Sequence, residues 1–196
     1  MITLDTYLLF FFEMFVFYLV LKSVLFYRMF KINPVKFLKV KNWREFLVWQ
    51  GMMMVLVGFG VLVVLTFSGY DTGLKFTLLN HYMFNFLGVA LTIIGFVMMV
   101  MAHQQMGKAW RMGVDEKQRN TLVSQGLYSI SRNPIYVAIL FQALGLVLLL
   151  KTALSLGLFI VLYISIYYVI KIEEIFLLQI FEERYTEYKK KVRRFF

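Results

Sequence analysis

The chain has 196 residues, 61% of them hydrophobic and only 16% charged, with a formal net charge of +10 and no cysteine. Soluble domains average about 25% charged residues, so this surplus of apolar side chains excludes an ordinary water-soluble fold and points to membrane spans. Disulfides, thiol nucleophiles and Cys-bound metals are excluded; His81 and His103 are too few for a zinc site, and the basic residues lie in loops between apolar runs, which favours lipid headgroups over nucleic acid.

Residues 7–26 form the first predicted span, long enough to cross a hydrocarbon core. It follows an acidic residue, Asp5, and has no small-residue cleavage site, so it reads as a retained span and not a signal peptide. Glu13 lies inside it. An intramembrane acid faces protein or water, and here it reads first as a carboxyl packed against another helix, second as a functional group. The connector 28–45 interleaves Arg28, Lys31, Lys36, Lys39, Lys41 and Arg44 with Phe30, Phe37 and Trp43, and Pro34 interrupts any continuous helix. That composition is an interfacial anchor.

Residues 46–67 and 82–102 are the second and third spans, separated by a loop whose charges are Asp71 and Lys75. Gly88 and Gly95 predict close approach of a neighbouring helix. A long polar segment, 103–132, precedes two more apolar stretches, 134–150 and 152–170, joined at Lys151, with Pro134 placed for a first helical turn. The last segment, 171–196, mixes acids and bases with Phe and Tyr at helical spacing and predicts an amphipathic surface helix. The expectation is an all-α, multi-pass membrane protein with five spans in one domain: 1–102 carry three spans and the basic connector, and 103–196 the chemistry. Lys and Arg cluster in 28–45, 103–132 and 171–196. This places the N-terminus outside and the C-terminus in the cytoplasm of a cell membrane, with both polar segments on the same side.

Those two segments hold Arg132 at the end of one and Glu173-Glu174 near the start of the other. A carboxylate at the membrane boundary is costly when unpaired, and a structural ion pair with Arg132 would satisfy both. The surrounding pattern goes further. The stretch T-L-V-S-Q-G-L-Y-S-I-S-R-N-P-I-Y, Thr121 to Tyr136, resembles the L-V-x-x-G-x-Y-x-x-x-R-H-P-x-Y signature of the isoprenylcysteine carboxyl methyltransferases. Q-M-G-K-A-W-R-M-G, Gln105 to Gly113, is similar to the Q-M-G-x-S-W-R-x-G stretch of prokaryotic members. The tail from Glu173 resembles the family's E-E-x-x-L…F-G-x-x-Y-x-x-Y-x-x-x-V-x-R-F ending. These linked motifs cover the C-terminal half; the N-terminal half is similar in hydropathy alone.

The family consists of integral membrane enzymes that use S-adenosylmethionine, with phospholipid N-methyltransferases as relatives. The resemblance implies a cofactor site made of Leu122, Val123, Tyr128, Arg132, Asn133, Pro134, Tyr136, Glu173 and Glu174. It also implies methyl transfer by in-line displacement to a lipophilic acceptor drawn from the bilayer, such as the carboxylate of a prenylcysteine or isoprenoid-like compound, with S-adenosylhomocysteine as product. Arg111, Glu174 and Arg194 are the candidate catalytic residues, and Trp110, Arg111 and Arg194 the candidate acceptor contacts. No metal is expected. Tyrosine faces suit an adenine or a sulfonium, and Arg132 suits a carboxylate. The same tyrosines and Trp110 also suit interface anchoring, and Arg194 also suits anionic headgroups.

A carboxylate acceptor needs no general base, whereas an amine must lose a proton, which a glutamate can take. Two positions depart from the family pattern: Asn133 replaces its His, and Glu182 replaces the tail Gly, which predicts a continuous helix there. Other readings are a phospholipid or small-molecule N- or S-methyltransferase on the same scaffold, a nicotinamide-dependent enzyme with a related core, and a non-catalytic lipid-binding or transport protein. The second has only Lys117 and Arg119 for a phosphate. The third leaves the shared motifs without a reason.

Overall fold

The computed structural model describes residues 3–31, 43–107 and 122–195. Among them lie five α-helices and no strand: α1 (Leu4–Phe30), α2 (Trp43–Phe67), α3 (Tyr82–Met106), α4 (Pro134–Leu150) and α5 (Ala153–Lys191), with short 3-10 turns at Thr77–Asn80 and Gly126–Ser129. The helices begin and end on local chemistry. Thr3 caps α1 by accepting a bond from the Thr6 amide, Pro134 opens α4, and Thr152 and Ser155 form a reciprocal capping box on α5. Lys31 and Lys151 close α1 and α4 in the left-handed region.

Helices α1, α2, α3 and α5 are long and apolar enough to cross a membrane. α4, the expected fourth span, has 17 residues, an axial length of about 25 Å, slightly short of a typical hydrocarbon core. It is also the most enclosed element: Val137, Ala138, Ala143, Leu146 and Val147 are all buried. The expected glycine contact is formed against this helix. A Cβ on Gly95 would stand 2.7 Å from the Ala138 carbonyl, and one on Gly145 would stand 2.7 Å from that of Gly88, so α3 and α4 touch backbone to backbone. The loop after α2 docks on the α4–α5 turn through Phe76 N to Lys151 O at 2.8 Å and Ala153 N to Leu74 O at 2.9 Å. The two connections with few basic residues therefore lie together at one end of the bundle.

Large apolar side chains such as Phe10, Phe17, Met54 and Phe86 stay exposed, as expected where the solvent is lipid. Packing inside relies on shape and on a few polar links: Tyr7 Oη lies 2.6 Å from Thr92 Oγ1, and Tyr18 Oη 2.9 Å from His103 Nδ1. Two sequence expectations need correction. Glu13 does not pack against another helix among the described residues. The inward stripe of α1 runs through Leu8, Phe11, Tyr18 and Phe26, and Glu13, two residues from Phe11, is turned to the exposed side with Phe10 and Phe17. The tail is not a continuous helix either. Glu182 sits at φ 45°, ψ −117°, so α5 breaks where the family places glycine, and the expected surface helix is the end of α5 redirected by that break.

Candidate active site

The segment 122–133 is held at both ends. Gly126 adopts φ 63°, and a Cβ there would come within 2.6 Å of the Gln105 side chain, whose Oε1 accepts the Leu127 amide at 2.8 Å. This ties the motif to the end of α3. At its other end Ser131 bridges in parallel to Arg193, Arg132 N donates to Arg193 O at 2.9 Å, and Asn133 Nδ2 donates to Arg194 O at 3.0 Å. Tyr188 Oη donates to the Tyr128 carbonyl. The break at Glu182 is what brings the tail back over this segment.

At the join lies a buried charge cluster. Glu174 Oε1 accepts from Arg132 Nη2 at 2.7 Å, and Oε2 accepts from Arg194 Nη2 at 2.7 Å, with the Nε groups of both arginines at 3.2 Å. Arg132 spends its Nη1 on the carbonyls of Lys189 and Val192. Its side chain is 7% exposed and that of Glu174 is 6% exposed. Two guanidinium groups on one carboxylate leave the cluster with one net positive charge. The hydrogen bond to Glu174 holds the Arg194 guanidinium above its ordinary range.

Glu173 is different. It faces a cavity of about 310 Å³, and its partner among the described residues is the Tyr136 hydroxyl, which donates to Oε1 at 2.8 Å. Leu122, Val123, Tyr128, Arg132, Asn133, Pro134 and Tyr136 line the same cavity. Tyr128 is buried, and its hydroxyl, on this wall, has no hydrogen-bond partner among the described residues. Burial first, then the Glu173 carboxylate and Tyr188, pushes its phenol well above the ordinary value, so it stays a neutral donor. Glu174 and Arg194 are not among the lining residues; they reach the cavity through Arg132. Trp110 and Arg111 lie outside the described residues.

The cavity continues from this polar end between the helices. Phe11, Phe12 and Phe15 of α1, Met52 and Phe59 of α2, and Ala143 and Leu146 of α4 form an apolar wall. Sequence reasoning missed that half, together with His103, Gln142, Tyr185 and Tyr188 on the same lining. For Gln142 and His103 a signal existed: a hydrogen-bonding side chain within or at the end of an apolar run. For the phenylalanines none did, since 21 of them are spread along the chain.

A family model for phospholipid methyltransferases matches residues 83–184, from the start of α3 to just beyond the break in α5. The chain belongs to the phospholipid methyltransferase family. Over 109 residues it is 38% identical to the protein-S-isoprenylcysteine O-methyltransferase of Saccharomyces cerevisiae. That match covers 54% of this chain and 46% of the yeast protein, so the chain aligns with under half the length of this relative. No solved structure matches significantly. This membrane methyltransferase family agrees with the resemblance carried by the motifs, and its matched region contains most of the cavity lining.

Proposed function

We propose that the protein is an S-adenosylmethionine-dependent methyltransferase acting on a lipophilic acceptor, with the carboxylate of a prenylcysteine or isoprenoid-like compound as the acceptor class. The observation that carries this reading is a single cavity, polar where 122–136 meets α5 and apolar where it runs between α1, α2 and α4. Its polar end suits a zwitterionic, cationic cofactor: an unpartnered Tyr128 hydroxyl can donate, and Glu173 has acceptor capacity beyond the one bond from Tyr136. When bound, the cofactor supplies a methyl group already activated by a sulfonium sulfur.

In this reading Leu122, Val123, Asn133 and Pro134 form the binding wall, with Tyr128, Tyr136 and Glu173 as its polar contacts. Arg132 reaches the cavity with the charge of the buried cluster behind it, and Glu174 and Arg194 hold it in place as positioning residues. The apolar wall excludes water and aligns the acceptor, which is the main task left to the protein when the acceptor is a carboxylate. Arg111 and Trp110 keep their proposed acceptor roles from the motif.

An amine acceptor, as the family description also allows, is supported by Glu173. A carboxylate on the cavity wall with no cation paired to it among the described residues can receive a proton. Lys and Arg concentrated in 28–45, 103–132 and 171–196 support a site facing the cytoplasm of the cell membrane.

The deciding experiment is calorimetric binding of S-adenosylhomocysteine to the purified protein in detergent, with Tyr128→Ala and Glu173→Gln alongside. Saturable binding by the parent and loss in both variants is expected. Folded parent protein that binds none would overturn the assignment. Radiolabelled methyl transfer to a farnesylated cysteine and to phosphatidylethanolamine then separates the acceptor classes.

A further inference from the structure

The outer face of α5 carries a cluster in which Lys171 and Tyr167, unused by the methyl-transfer reading, meet the far side of Arg194. Arg194 gives Nε and Nη2 to Glu174, and its guanidinium carbon also lies 5.7 Å from the centroid of the Tyr167 ring. Lys171 Nζ sits 4.6 Å from the same centroid. Two cations thus converge on one aromatic ring. Each contact is a favourable cation–π pairing, but the cations repel one another.

Local acid offsets this only in part. Glu174 is already shared between Arg132 and Arg194, and Lys171 forms no ion pair among the described residues. One turn before Tyr167, Tyr163 stacks on Phe195 with centroids 6.5 Å apart. Ile160, Tyr163 and Ile164 are about half exposed, and with Tyr167 and Lys171 they follow helical spacing along one stripe of the helix. The stripe changes from apolar to cationic where the apolar run of α5 ends, the point at which a spanning helix meets the lipid headgroups.

We propose that Lys171, Arg194 and Tyr167 form a binding site for the phosphate of an anionic phospholipid, with Tyr163, Phe195 and Ile160 as the wall for its acyl chain. The phosphate offsets the positive charge left over by Lys171 and the Arg132–Glu174–Arg194 cluster, and its chain covers exposed apolar surface of the helix. A zwitterionic lipid brings its own cation to the cluster and is disfavoured. Inorganic phosphate lacks the acyl chain and loses the second half of the site. The site is separate from the cavity, since none of Lys171, Arg194 and Tyr167 lines it.

Native mass spectrometry of the full chain, titrated in detergent with dioleoylphosphatidylglycerol, dioleoylphosphatidylcholine or inorganic phosphate, tests this. The wild type is expected to retain phosphatidylglycerol over the other two. Lys171→Gln should weaken that binding about five-fold, Lys171→Arg should preserve it, and Lys191→Gln in the exposed tail should change it less than two-fold. Lys171 is exposed, so the variants fold, which thermal unfolding verifies. Equal retention of the two lipids by the wild type, or equal weakening by Lys171→Gln and Lys191→Gln, overturns the site in favour of diffuse attraction to a basic tail. The measurement involves no methyl transfer, so its outcome is independent of the cofactor assignment.

Discussion

Tyr128 and Glu174 show how differently two buried polar residues of one motif set are used. The Tyr128 hydroxyl lies on the cavity wall with no partner among the described residues, so its hydrogen bond is open to whatever occupies the cavity. Tyr128→Phe should therefore leave thermal stability unchanged or raised while weakening S-adenosylhomocysteine binding about three- to ten-fold by calorimetry. A loss of stability without a loss of affinity would reduce Tyr128 to packing. Glu174 has the opposite signature. Its two oxygens are consumed by Arg132 and Arg194 at 2.7 Å each, so Glu174→Gln leaves two guanidinium groups facing each other without a compensating charge. Breaking a buried pair of this kind costs about 3–5 kcal/mol, measurable as a fall in the unfolding midpoint, with weaker cofactor binding following from displacement of Arg132. Asn133 belongs with Glu174 in this respect: its amide holds the Arg194 carbonyl, so the residue that departs from the family pattern secures the tail as well as lining the cavity.

At the level of elements, the break in α5 decides whether the tail reaches the motif. Glu182 at φ 45° occupies a backbone region that glycine enters readily and an L side chain enters under strain. Glu182→Gly should relieve that strain and stabilise the protein by about 1 kcal/mol in thermal unfolding, since this exposed side chain forms no ion pair among the described residues. Were the variant destabilised, the break would owe its position to the glutamate side chain. The α3–α4 contact is the other decisive junction. Gly145→Val would press a branched side chain into the Gly88 carbonyl and Thr92, where a Cβ alone already meets atoms at 2.7 Å. It should cost about 1–3 kcal/mol or more and disturb the cavity wall carried by α4.

For the molecule as a whole, the expectation is that cofactor and acceptor occupy one continuous space but different parts of it. Ala143 is 4% exposed and lines the apolar part with Leu146 and Phe59, away from the Tyr128–Glu173 end. Ala143→Leu should raise the acceptor KM about ten-fold through overpacking while leaving the S-adenosylhomocysteine Kd within about two-fold. Equal effects on both would mean that the cavity is not divided in this way. The same continuity explains why α1 and α2, which resemble the family only in hydropathy, still line the cavity: they supply Phe11, Phe12, Phe15 and Phe59 to its apolar wall.

Much of this was legible in the linear chain because it rests on local rules. Apolar runs of spanning length mark the helices and Pro134 marks the start of α4, while Tyr128, Arg132, Tyr136 and Glu173, which line the polar end of the cavity, are pointed to by the resemblance to the methyltransferase motifs. Helix length and boundary chemistry are properties of consecutive residues, so no tertiary information is required for them. Which of two adjacent glutamates meets the cavity is another matter. Glu173 and Glu174 are about 100° apart on α5, and only the packing of the helix settles that one takes the Tyr136 hydroxyl and the other the two arginines. The positive φ of Glu182, the outward turn of Glu13 and the aromatic wall from α1 and α2 are likewise set by contacts between residues distant in sequence. In a chain so uniformly apolar, hydropathy carries little information about facing, and shape and a few buried polar links decide it instead.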